Sequence, residues 1–368
     1  MTEKLATSAA TERFRNRFPE ISDDFYRKAQ DLTLSSIGIG TYLGNHDTQT
    51  DEDYANAVVR YVELGGNVID TAANYRFQRS ERNIGKALEK LAEKGFGRDE
   101  ILICTKGGYL PFDGEPPRNV QAYFEENFIK KGIANFEDII GGSHIMTPKY
   151  LQSQLDQSLE NMHIDAIDVF YIHNPESQLS EVDKYSFEAK LAKAFEMLEQ
   201  NRAAGKLQFY GVATWNGFRL SPQDSGFHSL ERMVNIAKKI GGDEHGFRFI
   251  QLPFNMVMPE GLVFLNQQCA GKLLSTFAAA KELGVSVMAS ASILQGRLTK
   301  GLPENIREKM GNLPTDALTA IQFTRSAENL TTALIGMSKT YHAEENMAIA
   351  NVKPAGAEDY EKLFAGAK

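Results

Sequence analysis

Three polar side chains, Asp70, Lys106 and His173, each stand at the end of an apolar segment, and Tyr75 follows Asp70 by five residues. A lysine ammonium beside a tyrosine favours the phenolate and so lowers the tyrosine pKa, while a buried carboxylate keeps the lysine charged. Such a tyrosine can act as a general acid toward a carbonyl oxygen that a neutral histidine orients. The carbonyl carbon is then left to accept a hydride from a bound nicotinamide. The four residues therefore predict carbonyl reduction, provided that the fold brings them together.

The segments that must position these residues are short β-branched runs alternating with longer stretches of helical period, as in parallel βαβ units. Eight strands are predicted: NVIDTA from Asn67, ILICTK from Ile101, IDVFYIH from Ile167, FYGVAT from Phe209, FIQLPFN from Phe249, VSVMAS from Val285, TALIG from Thr332 and NMAIANV from Asn346. Repeats without a break in composition predict an α/β protein with one (β/α)8 TIM barrel domain over residues 31–368, after a polar extension over residues 1–30. The carboxyl ends of the strands would then share one mouth.

Apolar residues at helical spacing predict helices between these strands, over residues 80–94, 148–162, 187–204, 230–240, 273–283 and 316–325. The segment SIGIGTYLG (residues 36–44) is interpreted as an N-terminal β-hairpin that plugs the bottom of the barrel. A stretch over residues 107–147, rich in glycine, proline and aromatic residues, is far longer than an ordinary βα loop and follows the second predicted strand. We expect it to lie over the active face, the alternative being a surface excursion without a role.

The composition is that of a soluble globular protein, with 42% hydrophobic and 24% charged residues, and the net charge of -8 disfavours nucleic acid as a partner. Two cysteines, Cys104 and Cys269, provide no disulfide framework, so a cytoplasmic location is expected. We expect no secretory signal and no membrane span, since the N-terminus mixes charges and no run of eighteen apolar residues occurs. No metal site is expected either, because four histidines lack metal-ligand spacing: His144, His163, His228 and His245.

The stretch YVELGGNVIDTAANYRFQRSERNIGKALEK resembles the defining motif of the aldo-keto reductase family. The segments ILICTKGG and VFYIHNPE are similar to those that carry the family lysine and histidine, and QLPFN, VMASASILQGRL and ALIGMSKTYHAEEN resemble its later cofactor-binding segments. The likeness extends from about Leu32 to about Val352. Taken residue by residue, it implies a catalytic tetrad of Asp70, Tyr75, Lys106 and His173.

The resemblance also implies NADP(H), in preference to NAD(H), bound across the barrel mouth. Ser338 and Lys339 would supply hydrogen bonds and charge to a 2'-phosphate, while His342 replaces an arginine that is common in the family. The implied cofactor-binding residues are Thr41, Asp70, Thr214, Gln251, Ser290, Leu294, Gly296, Arg297, Gly336, Ser338, Lys339, His342, Glu345 and Asn346.

The expected partner is a small-molecule carbonyl compound or sugar, which would be contacted by Tyr42, Tyr75, His173 and Trp215. Trp215 would alternatively pack against the barrel rim. Two other functions remain open. One is a Schiff-base lyase with Lys106 as its nucleophile, because barrels often carry a reactive lysine at a strand end. The other is a non-catalytic subunit that only senses the cofactor, as in some members of the family. Oligomeric state is open as well.

Overall fold

The computed structural model describes residues 4–364, and the core of this part of the chain is a closed barrel of eight parallel strands. All strands of the described residues are β1 Tyr26–Ala29, β2 Leu32–Ser35, β3 Ile37–Gly40, β4 Val68–Asp70, β5 Leu102–Gly107, β6 Ile167–His173, β7 Leu207–Ala213, β8 Phe247–Pro253, β9 Leu265–Cys269, β10 Lys272–Ser275, β11 Ser286–Ser290 and β12 Thr332–Gly336. Two pairs of these strands, β1 with β2 and β9 with β10, lie outside the barrel. The barrel runs in the order β3-β4-β5-β6-β7-β8-β11-β12 and closes between β12 and β3. The predicted (β/α)8 barrel is therefore confirmed.

Helices surround the barrel and connect its strands. They are α1 Ser8–Arg15, α2 Thr48–Glu63, α3 Arg79–Glu93, α4 Val120–Phe124, α5 Pro148–Met162, α6 Lys184–Ala203, α7 Leu230–Gly241, α8 Glu260–Val263, α9 Thr276–Glu282, α10 Glu304–Lys309, α11 Asp316–Arg325, α12 Thr340–Met347 and α13 Ala357–Glu361. The predicted helix over 273–283 is shorter at its start, because β10 ends only at Ser275. No helix of residues 4–364 is long and apolar enough to cross a membrane.

Two of the predicted elements are wrong. The segment interpreted as a hairpin contains β3, the first barrel strand, and the strand predicted from Asn346 is the end of α12 followed by a helical turn over Ala348–Asn351. The glycines of β3 hid the strand in the sequence, but packing inside the barrel explains why a residue this small is needed at position 38. A Cβ at Gly38 would lie 2.9 Å from a methyl group of Leu334 and 3.1 Å from one of Val68, so neighbouring side chains already fill that part of the interior.

The hairpin lies upstream of its predicted position and consists of β1 and β2, paired antiparallel. Ala29, Leu32 and Leu34 are buried in one apolar cluster with barrel residues such as Val68 and Leu102, at the amino ends of their strands. The hairpin therefore closes the end of the barrel opposite the carboxyl ends of the strands. The predicted domain start at residue 31 falls inside this hairpin.

The long stretch over residues 107–147 follows β5, which is the third barrel strand because β3 precedes the strands counted from the sequence. It contains α4, which continues as a π-helical segment over Glu125–Ile129, and it has its own apolar cluster around Phe124, Phe128 and Ile145. Tyr109 near its start is bridged to His144 near its end. We call residues 107–147 the insertion; it is a folded unit whose two ends meet beside the barrel mouth.

Candidate active site

A buried ion pair lies at the carboxyl ends of β4 and β5. Lys106 Nζ is 2.5 Å from Asp70 Oδ1 and donates a second hydrogen bond to the carbonyl oxygen of Thr71 at 2.7 Å. The other carboxylate oxygen of Asp70 accepts a hydrogen bond from Gln251 Nε2 at 2.8 Å. Burial alone lowers the pKa of Lys106, but the adjacent Asp70 carboxylate outweighs it, so the pKa is raised and the side chain remains an ammonium ion.

Tyr75 is held against this ammonium ion by the loop that follows β4. The N–H groups of Thr71 and Ala73 donate to carbonyl oxygens of β5, and Lys106 Nζ lies 4.8 Å from the centroid of the Tyr75 ring. The withdrawal of its hydroxyl from water raises the pKa of Tyr75, and the charge of Lys106 opposes that rise. Burial prevails over the lowering expected from the sequence, so the hydroxyl is a protonated donor near neutral pH.

The three residues after Tyr75 all have left-handed backbone conformations. Arg76, Phe77 and Gln78 have φ values of 48°, 58° and 69°, which is costly for residues other than glycine. The Arg76 guanidinium is fixed by an ion pair with Asp51 at 2.7 Å. Strain of this kind persists only where surrounding contacts enforce it, and here it sets the direction of the chain that carries Tyr75.

His173 ends β6, and its ring meets the Tyr75 ring edge-on, with 5.9 Å between the ring centroids. Burial, together with the positive charge of Lys106, lowers the pKa of His173 well below its ordinary value, so the imidazole is neutral near pH 7. Its Nδ1 atom is buried and has no hydrogen-bond partner among residues 4–364. The structure thus brings a neutral imidazole, a phenol and an ammonium–carboxylate pair together at one point.

A cleft of about 1030 Å³ opens above these residues at the carboxyl ends of the strands. Asp70, Tyr75 and His173 line it, whereas Lys106 is 1% exposed and lies behind them. This volume is at the upper end of the range for ligand pockets, which leaves room for two molecules side by side. The arrangement can protonate a carbonyl oxygen while a second bound molecule delivers an electron pair to the carbon.

Residues 36–318 match the family model described as "Aldo/keto reductase family", which is more than half of the chain. The chain belongs to the aldo/keto reductase family. The D-threo-aldose 1-dehydrogenase of a Pseudomonas species is 27% identical over 188 residues, which cover 50% of this chain and 52% of that protein. The NADH-specific methylglyoxal reductase of Escherichia coli is 25% identical over 194 residues, with 50% and 49% covered. The chain thus spans about half the length of these curated relatives.

Further relatives and solved structures match over nearly the whole chain at lower identity. The L-galactose dehydrogenase of Arabidopsis thaliana is 21% identical over 355 residues, which cover 90% of this chain and 89% of that protein. The holo form of an aldo-keto reductase from Bacillus halodurans superposes with a TM-score of 0.62 at 19% identity, with 92% and 95% covered. An aldo-keto reductase from Klebsiella pneumoniae in complex with NADPH has a TM-score of 0.60 at 17% identity, with 92% and 93% covered. The structural matches show the barrel fold.

Most of the residues predicted to bind the cofactor line the cleft of this aldo/keto reductase. They are Thr41, Asp70, Thr214, Gln251, Ser290, Gly296, Gly336, Ser338, His342, Glu345 and Asn346. Leu294, Arg297 and Lys339 are not part of the lining. The Lys339 ammonium pairs instead with Asp53 on α2. The four residues predicted to contact substrate all line the cleft: Tyr42, Tyr75, His173 and Trp215.

Sequence reasoning missed several lining residues next to Tyr75 and His173, namely Asn74, Tyr109 and Asn174. Asn174 directly follows a predicted strand, so its position at a strand end was a readable signal, and Asn74 lies inside the motif quoted above. Tyr109 carries no such signal. It comes from the insertion, whose return to the barrel mouth depends on tertiary packing and not on local periodicity.

Proposed function

We propose that this aldo/keto reductase transfers a hydride between a nicotinamide cofactor and the carbonyl carbon of a small aldehyde, ketone or sugar. The observation that carries the proposal is the contact between Lys106, Tyr75 and Asp70, in which an ammonium ion held by a carboxylate faces a phenol at the wall of a ligand-sized cleft. Relatives named for an aldose and for methylglyoxal support a small oxygenated carbonyl compound as substrate.

In this proposal Tyr75 is the general acid during reduction and the general base in the reverse direction. Its hydroxyl donates a proton to the carbonyl oxygen as negative charge develops there, and the phenolate that remains is stabilised by the Lys106 ammonium. Asp70 keeps Lys106 charged and in place. The neutral His173 ring orients the carbonyl oxygen by a hydrogen bond. Because its pKa is low, it stays uncharged and does not compete with Tyr75 as the proton donor.

The residues of the cleft fit a nicotinamide dinucleotide. Thr214 Oγ1 and His342 Nδ1 are buried polar atoms without partners among residues 4–364, and both residues line the cleft. Buried polar atoms are rarely left unpaired, so each favours a ligand that completes its hydrogen bonding. Thr41, Gln251 and Asp70 would hold the nicotinamide end. When bound, the nicotinamide supplies the hydride that the carbonyl carbon accepts.

The burial of Lys106 disfavours the Schiff-base alternative. A nucleophilic lysine must reach the substrate and lose its proton, but Lys106 does not line the cleft and its pKa is raised by Asp70. The alternative of a cofactor-sensing subunit is favoured by one relative that is named as a subunit, a putative voltage-gated potassium channel subunit beta of Schizosaccharomyces pombe, 21% identical over 337 residues. Turnover distinguishes that role from catalysis.

The test compares wild type with Tyr75→Phe in the reduction of an aldehyde series by NADPH and NADH, alongside cofactor affinity from fluorescence titration. We expect Tyr75→Phe to bind cofactor within about threefold of wild type but to lose about 10²- to 10⁴-fold in kcat, the range that a general acid contributes. Tyr185→Phe, at a highly exposed tyrosine outside the cleft, is the matched control. Full activity of Tyr75→Phe would overturn the proposal.

A further inference from the structure

The side chain of Asn174 enters the cleft because the backbone turns sharply after His173. In an extended strand, consecutive side chains point to opposite faces. Asn174 instead has a left-handed conformation, with φ 43° and ψ 59°, and both it and His173 line the same cleft. The Asn174 N–H donates to the carbonyl oxygen of Ala213 at 2.6 Å, which fixes this turn to β7. An uncommon backbone conformation thus places an amide beside the proposed catalytic histidine.

The insertion determines how this amide is oriented. Asn174 Nδ2 donates to the hydroxyl oxygen of Tyr109 at 3.1 Å, and that hydroxyl lies 3.2 Å from Ser177 Oγ. With Nδ2 directed at Tyr109, the carbonyl oxygen Oδ1 projects away from it, and Oδ1 accepts no hydrogen bond from the described part of the chain. Because Asn174 lines the cleft, this oxygen is an acceptor available to a ligand beside His173.

Tyr109 is itself held firmly. Its ring meets the His173 ring edge-on, with centroids 5.0 Å apart, and meets the His144 ring at 5.1 Å. Its carbonyl oxygen accepts hydrogen bonds from Gln154 Nε2 at 2.7 Å and from the hydroxyl of Tyr150 at 3.1 Å. The preorganisation of Tyr109 by four neighbours means that the orientation of Asn174 is set before any substrate binds.

The residues that line the cleft around Asn174 indicate which kind of ligand group its Oδ1 atom would bind. Apart from Asp70, whose carboxylate is paired with Lys106, the cleft residues around Tyr75 and His173 are mainly aromatic or neutral polar: Tyr42, Asn74, Tyr109, Asn174 and Trp215. An amide oxygen among such residues suits a neutral hydroxyl donor. Because residues 173 and 174 are adjacent, a carbonyl bound at His173 would place its neighbouring carbon near Asn174.

We infer that Asn174 is a specificity-determining residue, held in position by Tyr109, that accepts a hydrogen bond from the α-hydroxyl of a neutral α-hydroxy carbonyl substrate. The inference rests on the proposed function and adds to it a substrate class and two residues. A site built to bind a hydroxyl discriminates against an analogue that lacks it, because its polar atom is then left unpaired.

The experiment uses glycolaldehyde and propionaldehyde, which differ by exchange of the α-hydroxyl for a methyl group, with concentrations corrected for hydration. The quantity measured is the ratio of their kcat/KM values, glycolaldehyde over propionaldehyde. We expect Asn174→Gly, which tolerates the left-handed backbone, to lower the ratio about tenfold. Asn329→Gly is the matched control, because Asn329 also has a left-handed conformation, φ 63°, but is only partly buried and lies outside the cleft. Its ratio should equal that of wild type.

Two more variants separate recognition from structural damage. Asn174→Asp retains an acceptor and should stay within about threefold of the wild-type ratio. Tyr109→Phe removes only the hydroxyl that orients the amide, and we expect it to lower the ratio about threefold. A ratio unmoved by Asn174→Gly, or an equal loss for both aldehydes, overturns the inference alone, because propionaldehyde turnover would still support the proposed function. No turnover of either aldehyde by wild type, with either cofactor, overturns both.

Discussion

Lys106 and Asp70 form an ion pair with an N–O distance of 2.5 Å, in a position where Lys106 is 1% exposed. Two charges in such a place stabilise each other only as a pair, so removal of one leaves the other buried and uncompensated. The same contact maintains the ammonium ion that faces Tyr75. Stability and the proposed chemistry are therefore linked through one pair of atoms.

Replacing Lys106 by methionine should lower the free energy of unfolding by about 3–5 kcal/mol, because Asp70 loses its partner. The double variant Asp70→Asn/Lys106→Met should recover part of this loss, while both variants lose catalytic activity. Urea denaturation measures the stabilities. Lys206→Met, at a half-exposed pair with Asp156, is the control and should cost less than about 1 kcal/mol. Equal losses for Lys106→Met and Lys206→Met would contradict this account of the pair.

Glu176 holds the loop that carries Trp215. Its Oε1 atom accepts hydrogen bonds from the N–H groups of Trp215 at 2.6 Å and Asn216 at 2.9 Å. Glu176→Ala leaves both donors without this partner, so the loop should loosen and KM for substrate should rise several-fold with a smaller change in kcat. Trp215 is the one tryptophan of the sequence, so acrylamide quenching of its fluorescence reports on the loop directly.

Glu176→Gln is the matched control for that change, since its amide oxygen can still accept both hydrogen bonds. We expect its quenching to resemble that of wild type, whereas quenching in Glu176→Ala should increase. If Glu176→Ala leaves both KM and quenching at wild-type values, Glu176 does not hold the loop.

The barrel and six of the helices around it could be predicted from the sequence because their signals are local. The helices Pro148–Met162 and Asp316–Arg325 agree with prediction at both ends. The strand β3 was missed because its Gly38 is required by packing against side chains that are far away in the sequence, such as that of Leu334. The pattern of residues within one segment cannot reveal such a packing requirement.

The candidate site likewise contains residues that could be predicted from the sequence and residues that could not. Asp70, Lys106 and His173 could be predicted because each ends a strand, and the fold places strand ends together. The contribution of Tyr109 could not be predicted, since it depends on how the insertion folds back through His144. The ion pair of Lys339 with Asp53 joins residues 286 positions apart, and no sequence pattern signals it.

Lys339 offers a test of cofactor preference. If Lys339 binds a 2'-phosphate, its ammonium must leave Asp53, so the pair would compete with NADPH binding. We predict that Asp53→Asn tightens NADPH severalfold without a matching change for NADH, and that Lys339→Met weakens NADPH by about tenfold. Fluorescence titrations with the two cofactors measure these affinities. If both variants change NADPH and NADH affinity alike, Lys339 does not contact the 2'-phosphate.

His144 should make stability depend on pH. Burial lowers its pKa from 6.5 to about 4, while the unfolded chain retains the ordinary value. Between these values the unfolded state binds a proton that the folded state does not, so stability falls as pH drops from about 6.5 toward 4, by up to about 3 kcal/mol from this residue. Above pH 6.5 the contribution is fully present.

Urea denaturation at pH 7 and pH 5 measures this dependence in wild type and His144→Gln. Burial is the main cause that lowers the pKa of His173 and of His245, so most of their contribution is common to both proteins and the difference reports chiefly on His144. We expect the stability gap between wild type and His144→Gln to narrow at pH 5. The exposed His163→Gln should parallel wild type at both values. A gap that does not change with pH would count against a buried neutral His144.

The central claim is that hydride passes directly from a nicotinamide in this cleft to the carbonyl carbon of the substrate. It is tested most directly by reducing an aldehyde with NADPH or NADH that carries deuterium at both C4 positions, followed by mass spectrometry of the alcohol. The account predicts one deuterium on the former carbonyl carbon in every product molecule, and a loss of product with Tyr75→Phe. An alcohol without deuterium, or no saturable binding of either cofactor, would contradict it.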